Sequence, residues 1–238
     1  SGVGKTTTAR IVAKAVNCEH GPTAEPCQQC HHCREITAGN SVDVIEIDAA
    51  SNRGIDEIRA LRENVRFAPA ASRKKIYIID EAHQITDHGW NAFLKTLEEP
   101  PAHVMFVLAT TEPNKIPATI LCRCQRFTFR PVTGTQVANQ LKTIIAAEQK
   151  EGRKIEINDD ALALIARLTR GSVRDAESLF DQLLSFVKTK ITVPDIISLL
   201  GLVPEEILNQ FITAMLNRDV PAALRLVEKT INAGYNPN

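Results

Sequence analysis

Apolar residues along this chain follow two different periods, and the change between them divides it. After Lys5, residues Ala9, Val12, Ala13 and Val16 recur at helical spacing, so a helix is predicted to open on a Gly-Lys-Thr-Thr run. The run VDVIEIDAA, from Val42 to Ala50, reads as a buried strand, and Ser51-Asn52-Arg53-Gly54 as a turn. Ile55, Ile58, Leu61 and Val65 line one face of the next predicted helix. KIYIIDEAH is a second strand with acids at its end. Thr86 starts a helix carrying Trp90, Phe93, Leu94 and Leu97, which Pro100-Pro101 closes. HVMFVLATT is a third strand, Pro117 opens a short helix, and QRFTFR, from Gln125 to Arg130, is predicted as a fourth strand. Strands alternating with helices imply an α/β fold with a parallel sheet and crossover helices.

After Pro131 the strand signal stops. From Thr133 onward the pattern predicts helices only, with breaks at Gly152, Gly171 (Ser172 following as a cap), Pro194, and Gly201 to Pro204. The expected organisation is an α/β domain over 1–131, an all-helical domain over 132–198, and the first helices of a third unit over 199–238. There is no internal repeat and no low-complexity tract.

Composition narrows the possibilities. The 238 residues are 44% hydrophobic, and Lys plus Arg balances Asp plus Glu at 28 each. A protein that grips DNA unaided is usually more basic, so any nucleic-acid contact is expected to be local or shared with other subunits. No apolar run approaches the roughly 18 residues of a membrane span, and a cytoplasmic location is expected.

Gly4-Lys5-Thr6 is the end of a phosphate-binding loop. Glycines let backbone N–H groups approach phosphate oxygens, and the helix N-terminus adds partial positive charge. Lys5 supplies charge to the β- and γ-phosphates, and Thr6 a hydroxyl for Mg²⁺. The loop normally reads G-x-x-x-x-G-K-[ST] after a strand, so the chain is expected to begin inside its own nucleotide site. By itself it is then expected to bind nucleotide poorly. The bland alternative is a tight turn before a helix. Asp80-Glu81 weighs against it, because a buried strand ending in two acids is costly unless something cationic needs them. Asp80 fits a Mg²⁺ partner, and Glu81 a group that orients the attacking water. Thr110 and Thr111 end the third strand, within reach of a γ-phosphate. Arg123 could pair with an acid at home or serve a neighbouring subunit's nucleotide. Arg174 sits in a helix's first turn, where a cation is slightly unfavourable and a phosphate partner would explain it.

Four of the six cysteines, Cys18, Cys27, Cys30 and Cys33, crowd together, while Cys122 and Cys124 sit apart. C-x-x-C spacing lets two sulfurs bind one tetrahedral zinc, and four close its shell, so a structural rather than catalytic Zn²⁺ is expected. His20, His31 and His32 are the substitutes, and disulfides the alternative.

These motifs together resemble one family. GVGKTTTAR, the four-cysteine insert after that helix, VIEIDAASN, IYIIDEAHQIT, NAFLKTLEEPP, VLATTEPNKIP and GSVRDAESLFDQ cover almost the whole chain in order. They are similar to the gamma/tau subunits of bacterial DNA polymerase III, clamp-loader ATPases of the AAA+ class. The resemblance implies a P-loop core with a parallel sheet whose first strand precedes Ser1, a three-helix lid and a helical collar. It implies ATP and Mg²⁺ held by Gly2, Gly4, Lys5, Thr6, Thr7 and Asp80. Glu81 would be catalytic, Thr111 sensor 1, Arg174 sensor 2 from the lid, and Arg123 an arginine acting in trans. The motif around Arg123 reads Cys-Arg-Cys where the family has Ser-Arg-Cys. Cys18, Cys27, Cys30 and Cys33 would hold zinc. Implied partners are other clamp-loader subunits, the sliding clamp and primer-template DNA, with polymerase core and helicase reached through C-terminal regions beyond Asn238.

Three rivals fit less of the chain. The string Asp80-Glu81-Ala82-His83 matches a helicase box, but helicases of that class need a second motor domain, and only helices follow. A clamp-loader subunit without ATPase activity would not need Lys5, Thr6, Asp80 and Glu81 together. A plain zinc-binding interaction module leaves the nucleotide-like motifs unexplained.

Overall fold

The computed structural model describes residues 2–52, 54–187 and 190–232. The chain forms two compact units, divided between Phe129 and Arg130.

The first unit is a three-layer α/β sandwich. Its sheet holds three parallel strands in the order β1 (Val44–Asp48), β2 (Lys75–Asp80), β3 (Val104–Leu108). Asp48 lies opposite Asp80 in the register, and Ile79 opposite Leu108, so the carboxyl ends finish together. Central β2 is buried from Ile76 to Ile79, as expected of a parallel strand covered on both faces. Its alternation sorts the layers. Ile76 and Ile78 meet Ala9 and Ala13 of helix α1 (Lys5–Asn17) and Ile36 of α2 (His31–Ala38). Tyr77 and Ile79 meet the opposite layer, built from α3 (Ile55–Val65) and α4 (Asp87–Glu98). There Phe93 packs edge-on against Phe106 at 5.0 Å, and Tyr77 stacks on the same ring at 5.5 Å. Thr86 caps α4 by accepting from the Gly89 amide. The short helix α5 (Ala118–Leu121) follows Pro117 as expected.

Two differences from the sequence expectation have physical causes. Residues 125–130 form no strand. Phe127 is 74% exposed and Phe129 40%, and among the described residues no strand pairs with this segment. Alternating apolar residues make a strand only where a ladder partner accepts their backbone groups. Helix α2 was missed because its buried face is only Cys33 and Ile36, too short for a periodic signal. Of the residues at helical spacing in α1, Val12 is 37% exposed; the buried stripe is Ala9 and Ala13, continued by Lys14 and Asn17.

The second unit packs α6 (Gly134–Lys150), α7 (Asp159–Leu168), α8 (Val173–Phe186) and α9 (Val193–Leu200) around one core. Leu141, Leu162, Ile165, Phe180, Leu183 and Ile196 are its centre. The lid was expected to be three helices ending at 198, whereas α9 crosses that position and puts Ile196 in the same core. Pro194 opens α9 rather than breaking it, since proline is tolerated in a first turn. The unit is also not purely helical. Strands β4 (Glu156–Ile157) and β5 (Lys190–Ile191) pair in parallel, too short to show alternation in sequence. Ser172 caps α8 by accepting from the Asp175 amide, as read from the sequence. Helices α10 (Glu205–Leu216) and α11 (Val220–Asn232) follow.

Candidate functional site

The carboxyl ends of a parallel sheet make a crevice where ligands bind, and the phosphate-loop residues stand there. Gly4 precedes α1 with φ of 89°. A Cβ at Gly4 would touch nothing within 4 Å, so the left-handed backbone, not crowding, is what calls for glycine. Gly2 shares this region with φ of 70°. Gly4 offers no side-chain cap, and the first turn contains Lys5, Thr6 and Thr7 with no acid. Such a helix start leaves its orphan amides without a side-chain cap, an arrangement in which an anion can be accepted.

Thr6 Oγ1 donates to Asp80 Oδ2 at 2.6 Å. That bond joins the head of α1 to the end of β2. The other oxygen, Oδ1, accepts from the Glu81 amide at 2.9 Å. Glu81 leaves the strand in a left-handed conformation, φ 46° and ψ 42°, uncommon for a residue with a side chain and concentrated at functional sites. The Thr111 hydroxyl donates to Glu81 Oε2 at 3.2 Å. Thus Thr6, Asp80, Glu81 and Thr111 form one continuous chain of contacts at the end of β2.

Three residues given no role at the site by the sequence join this cluster. His83, whose side chain is 5% exposed, lies with Nδ1 3.3 Å from Glu81 Oε2 and Nε2 3.3 Å from Glu112 Oε1. Lys115 pairs with Glu112 at 2.8 Å and is the main reason that carboxyl sits below its ordinary range. The sequence marks His83 only as the last residue of the helicase-like string Asp80-Glu81-Ala82-His83, which gives it no role at this site.

The remaining expected residues lie elsewhere. Arg123, just past α5, donates to Glu98 Oε1 at 2.8 Å and to the Thr119 carbonyl at 2.5 Å. It is therefore paired with an acid at home and partly exposed. Arg174 is exposed in the first turn of α8, in the second unit.

The cysteine cluster is assembled. The sulfurs of Cys18, Cys27, Cys30 and Cys33 lie within 4.8 Å of one another, and none is in a disulfide. Four ligands at the Zn–S distance of about 2.3 Å around a tetrahedral ion stand about 3.8 Å apart, so the donor set fits such an ion. Cys18 and Cys33 are fully buried. The amides of Cys30 and Cys33 donate to the sulfurs of Cys27 and Cys30, at 3.3 and 3.4 Å, contacts that suit thiolates. Burial pushes the Cys33 thiol up to about 12, while the Cys27 amide lowers that of Cys18. His20, His31 and His32 are not needed to complete the set. His31 instead faces Glu35 at 3.4 Å.

The insert is anchored to the sandwich through polar contacts. Arg73 donates to the carbonyls of Cys18 and Glu19. Asn17 exchanges two hydrogen bonds with the Lys74 backbone, each 2.9 Å. Behind them, buried Asp43 accepts from the amides of Ala70, Ala71 and Ser72 at 2.7, 2.9 and 2.8 Å.

Comparison with known proteins identifies the family. Residues 1–133 match the family model described as DNA polymerase III, delta subunit, and residues 136–189 that of the DNA polymerase III clamp loader subunit, ATPase lid domain. The chain is 45% identical over 236 residues to the DNA polymerase III subunit tau of Bacillus subtilis, covering 99% of this chain and 41% of that protein. It is 42% identical over 233 residues to the subunit tau of Escherichia coli, covering 98% of this chain and 36% of that protein. The chain thus spans about two-fifths of the length of these relatives. In fold it is similar to the Holliday junction branch migration motor RuvB of Thermotoga maritima, with a TM-score of 0.58, 16% identity, and coverage of 90% of this chain and 65% of that one. This last likeness concerns the fold alone. No single described helix is long and apolar enough to cross a membrane. The family match over the first unit and the lid match within the second agree, and the likeness to tau subunits runs along nearly all of this chain: the chain belongs to the DNA polymerase III clamp-loader family and is similar to its tau subunits over the part that it spans.

Proposed function

We propose that this chain is the ATPase motor region of a bacterial replicative clamp loader, which uses ATP to place a sliding clamp on primed DNA. The observation that carries the proposal is the Thr6–Asp80 hydrogen bond. It brings the phosphate-loop helix and the acidic strand end to one point, with Glu81 and Thr111 beside it.

In this reading the ATP phosphates lie against the amides at the head of α1, with Gly2 and Gly4 shaping the approach and Thr7 beside them. Lys5 neutralises the β- and γ-phosphates. Thr6 and Asp80 would hold Mg²⁺, which when bound draws off charge developing on the phosphates. Glu81 orients the attacking water, and Thr111 senses the γ-phosphate. Arg174 reaches the nucleotide from the lid. Arg123 serves the nucleotide of an adjacent subunit. Its pairing with Glu98 is exposed, and exposed pairs are worth about 0–1 kcal/mol, so exchanging Glu98 for a phosphate is inexpensive. The four cysteines would hold a structural Zn²⁺ that closes the insert.

The units would be a nucleotide-binding core over 1–131, a lid from 132 to the end of α9 at Leu200, and after it the start of an oligomerisation collar running to 238. Partners would be other clamp-loader subunits, the clamp and primer-template DNA, with polymerase core and helicase engaged by C-terminal regions of the whole protein. A cytoplasmic location accords with this role.

The test is ATP binding by the full-length protein carrying Lys5→Ala. Binding should be lost. Wild-type affinity in that variant would remove the phosphate loop from its role.

A further inference from the structure

A water-orienting carboxylate must present one oxygen and keep it there. The Thr111 hydroxyl donates to Glu81 Oε2 at 3.2 Å, and His83 Nδ1 stands 3.3 Å from that same oxygen. Among the described residues, no protein group within hydrogen-bonding distance serves Oε1. Both restraints therefore converge on one oxygen and leave the other open.

Thr111 cannot keep both duties proposed for it. A hydroxyl has one hydrogen to donate. Once it turns to a γ-phosphate, Glu81 Oε2 loses that donor, and His83 is the protein group that remains.

The ring is built to stay in place. Nδ1 also lies 3.0 Å from Thr110 Oγ1, which accepts from the Glu112 amide at 3.0 Å. Nε2 faces the Gln84 amide nitrogen at 3.1 Å and Glu112 Oε1 at 3.3 Å, and Lys115 pins Glu112 at 2.8 Å. A hydrogen on Nδ1 suits this environment: it has two oxygens beside it, Thr110 Oγ1 at 3.0 Å as its hydrogen-bond partner and the Glu81 Oε2 carboxylate oxygen at 3.3 Å, and the Gln84 amide can donate to Nε2. The left-handed turn at Glu81 lets the chain double back, so that residues two apart meet side by side.

Resting on the water-orienting role proposed for Glu81, we infer that His83 is its positioning residue: the Nδ1–H holds Oε2 so that Oε1 is the oxygen presented to water. The ring itself touches neither nucleotide nor water.

The test compares steady-state ATP hydrolysis and binding of a non-hydrolysable ATP analogue in the full-length protein assembled with its partner subunits. The proteins are wild type, Glu81→Gln, His83→Ala and His83→Asn. Losing a hydrogen bond to a charged group corresponds to a fall in kcat of about 10- to 100-fold for His83→Ala. KM and analogue affinity should stay at wild-type values. Asparagine can donate from near the Nδ1 position, so His83→Asn should recover most of the lost kcat. Wild-type kcat in His83→Ala would overturn the inference. So would a loss shared by kcat and analogue affinity that asparagine does not repair, which marks mere structural support. If Glu81→Gln hydrolyses ATP normally, the role proposed for Glu81 fails and this inference with it. If Glu81→Gln is inactive and His83→Ala is not, only this inference fails.

Discussion

Asp43 offers a sharp test of how the cysteine insert is tied to the sandwich. Its side chain is buried, with the residue 2% exposed, and it accepts three backbone hydrogen bonds from residues 70–72. The next residue, Arg73, grips the Cys18 and Glu19 carbonyls. Asp43→Ala strands three donors at once. Hydrogen bonds to a charged acceptor contribute about 1.5–3 kcal/mol each. Ala70 and Ala71 are exposed, however, and their amides can turn to water. The expected loss is therefore nearer one to two full bonds, about 2–4 kcal/mol. The pH dependence has a definite sign. Burial pushes the Asp43 carboxyl up, but the three amides together more than offset it, and the net shift is downward. A carboxyl lowered by folding stabilises fully above its unfolded value of about 3.9. That contribution is lost as pH falls through the lower folded value. Urea unfolding followed by the fluorescence of Trp90, the single tryptophan of the sequence and buried in the same unit, reads the effect. The gap between wild type and Asp43→Ala should be constant above about pH 5 and shrink below about pH 4. An unchanged midpoint at neutral pH, or a gap that persists undiminished in acid, would refute the reasoning.

Further expectations follow from the same contacts. Metal analysis should find one zinc per chain, and its affinity should fall as pH falls, since the Cys33 proton, held up to about 12 by burial, must leave before the sulfur can bind; a folded, metal-free chain would sink the four-cysteine site. Arg123→Ala should leave this subunit's ATP binding intact and slow hydrolysis at the adjacent site of the assembled complex by at least about 10³-fold; unchanged turnover would return Arg123 to a surface ion pair with Glu98. Phe93→Ala should destabilise the first unit by about 3–5 kcal/mol, because the ring is fully buried edge-on against Phe106; a stable variant would mean that this core tolerates the cavity.

Much of the first unit was legible because its signals are local. Ile76 to Ile79 form an unbroken apolar run ending in two acids, and only a central parallel strand makes sense of it. The cysteine spacing likewise carries its own geometry. What escaped depends on partners distant in sequence. Phe127 and Phe129 alternate like strand residues, but no partner strand is present among the described residues. Asp43 looks like a strand-start acid until the amides of residues 70–72 fold over it. His83 is legible in the sequence only as the end of the Asp80-Glu81-Ala82-His83 string, and its relation to Glu81 exists only because the backbone turns left-handed between them. Arg123 was read with two possible partners, and the structure supplies the nearer one, Glu98.

The central claim is that the chain of contacts from Thr6 through Asp80 to Glu81 and Thr111 is an ATP-hydrolysing centre. Single-turnover hydrolysis of pre-bound ATP by the full-length protein with Glu81→Gln, assembled with its partner subunits, tests it most directly. The account predicts wild-type ATP affinity and hydrolysis slowed by about 100-fold or more. Hydrolysis at the wild-type rate from that variant would contradict it.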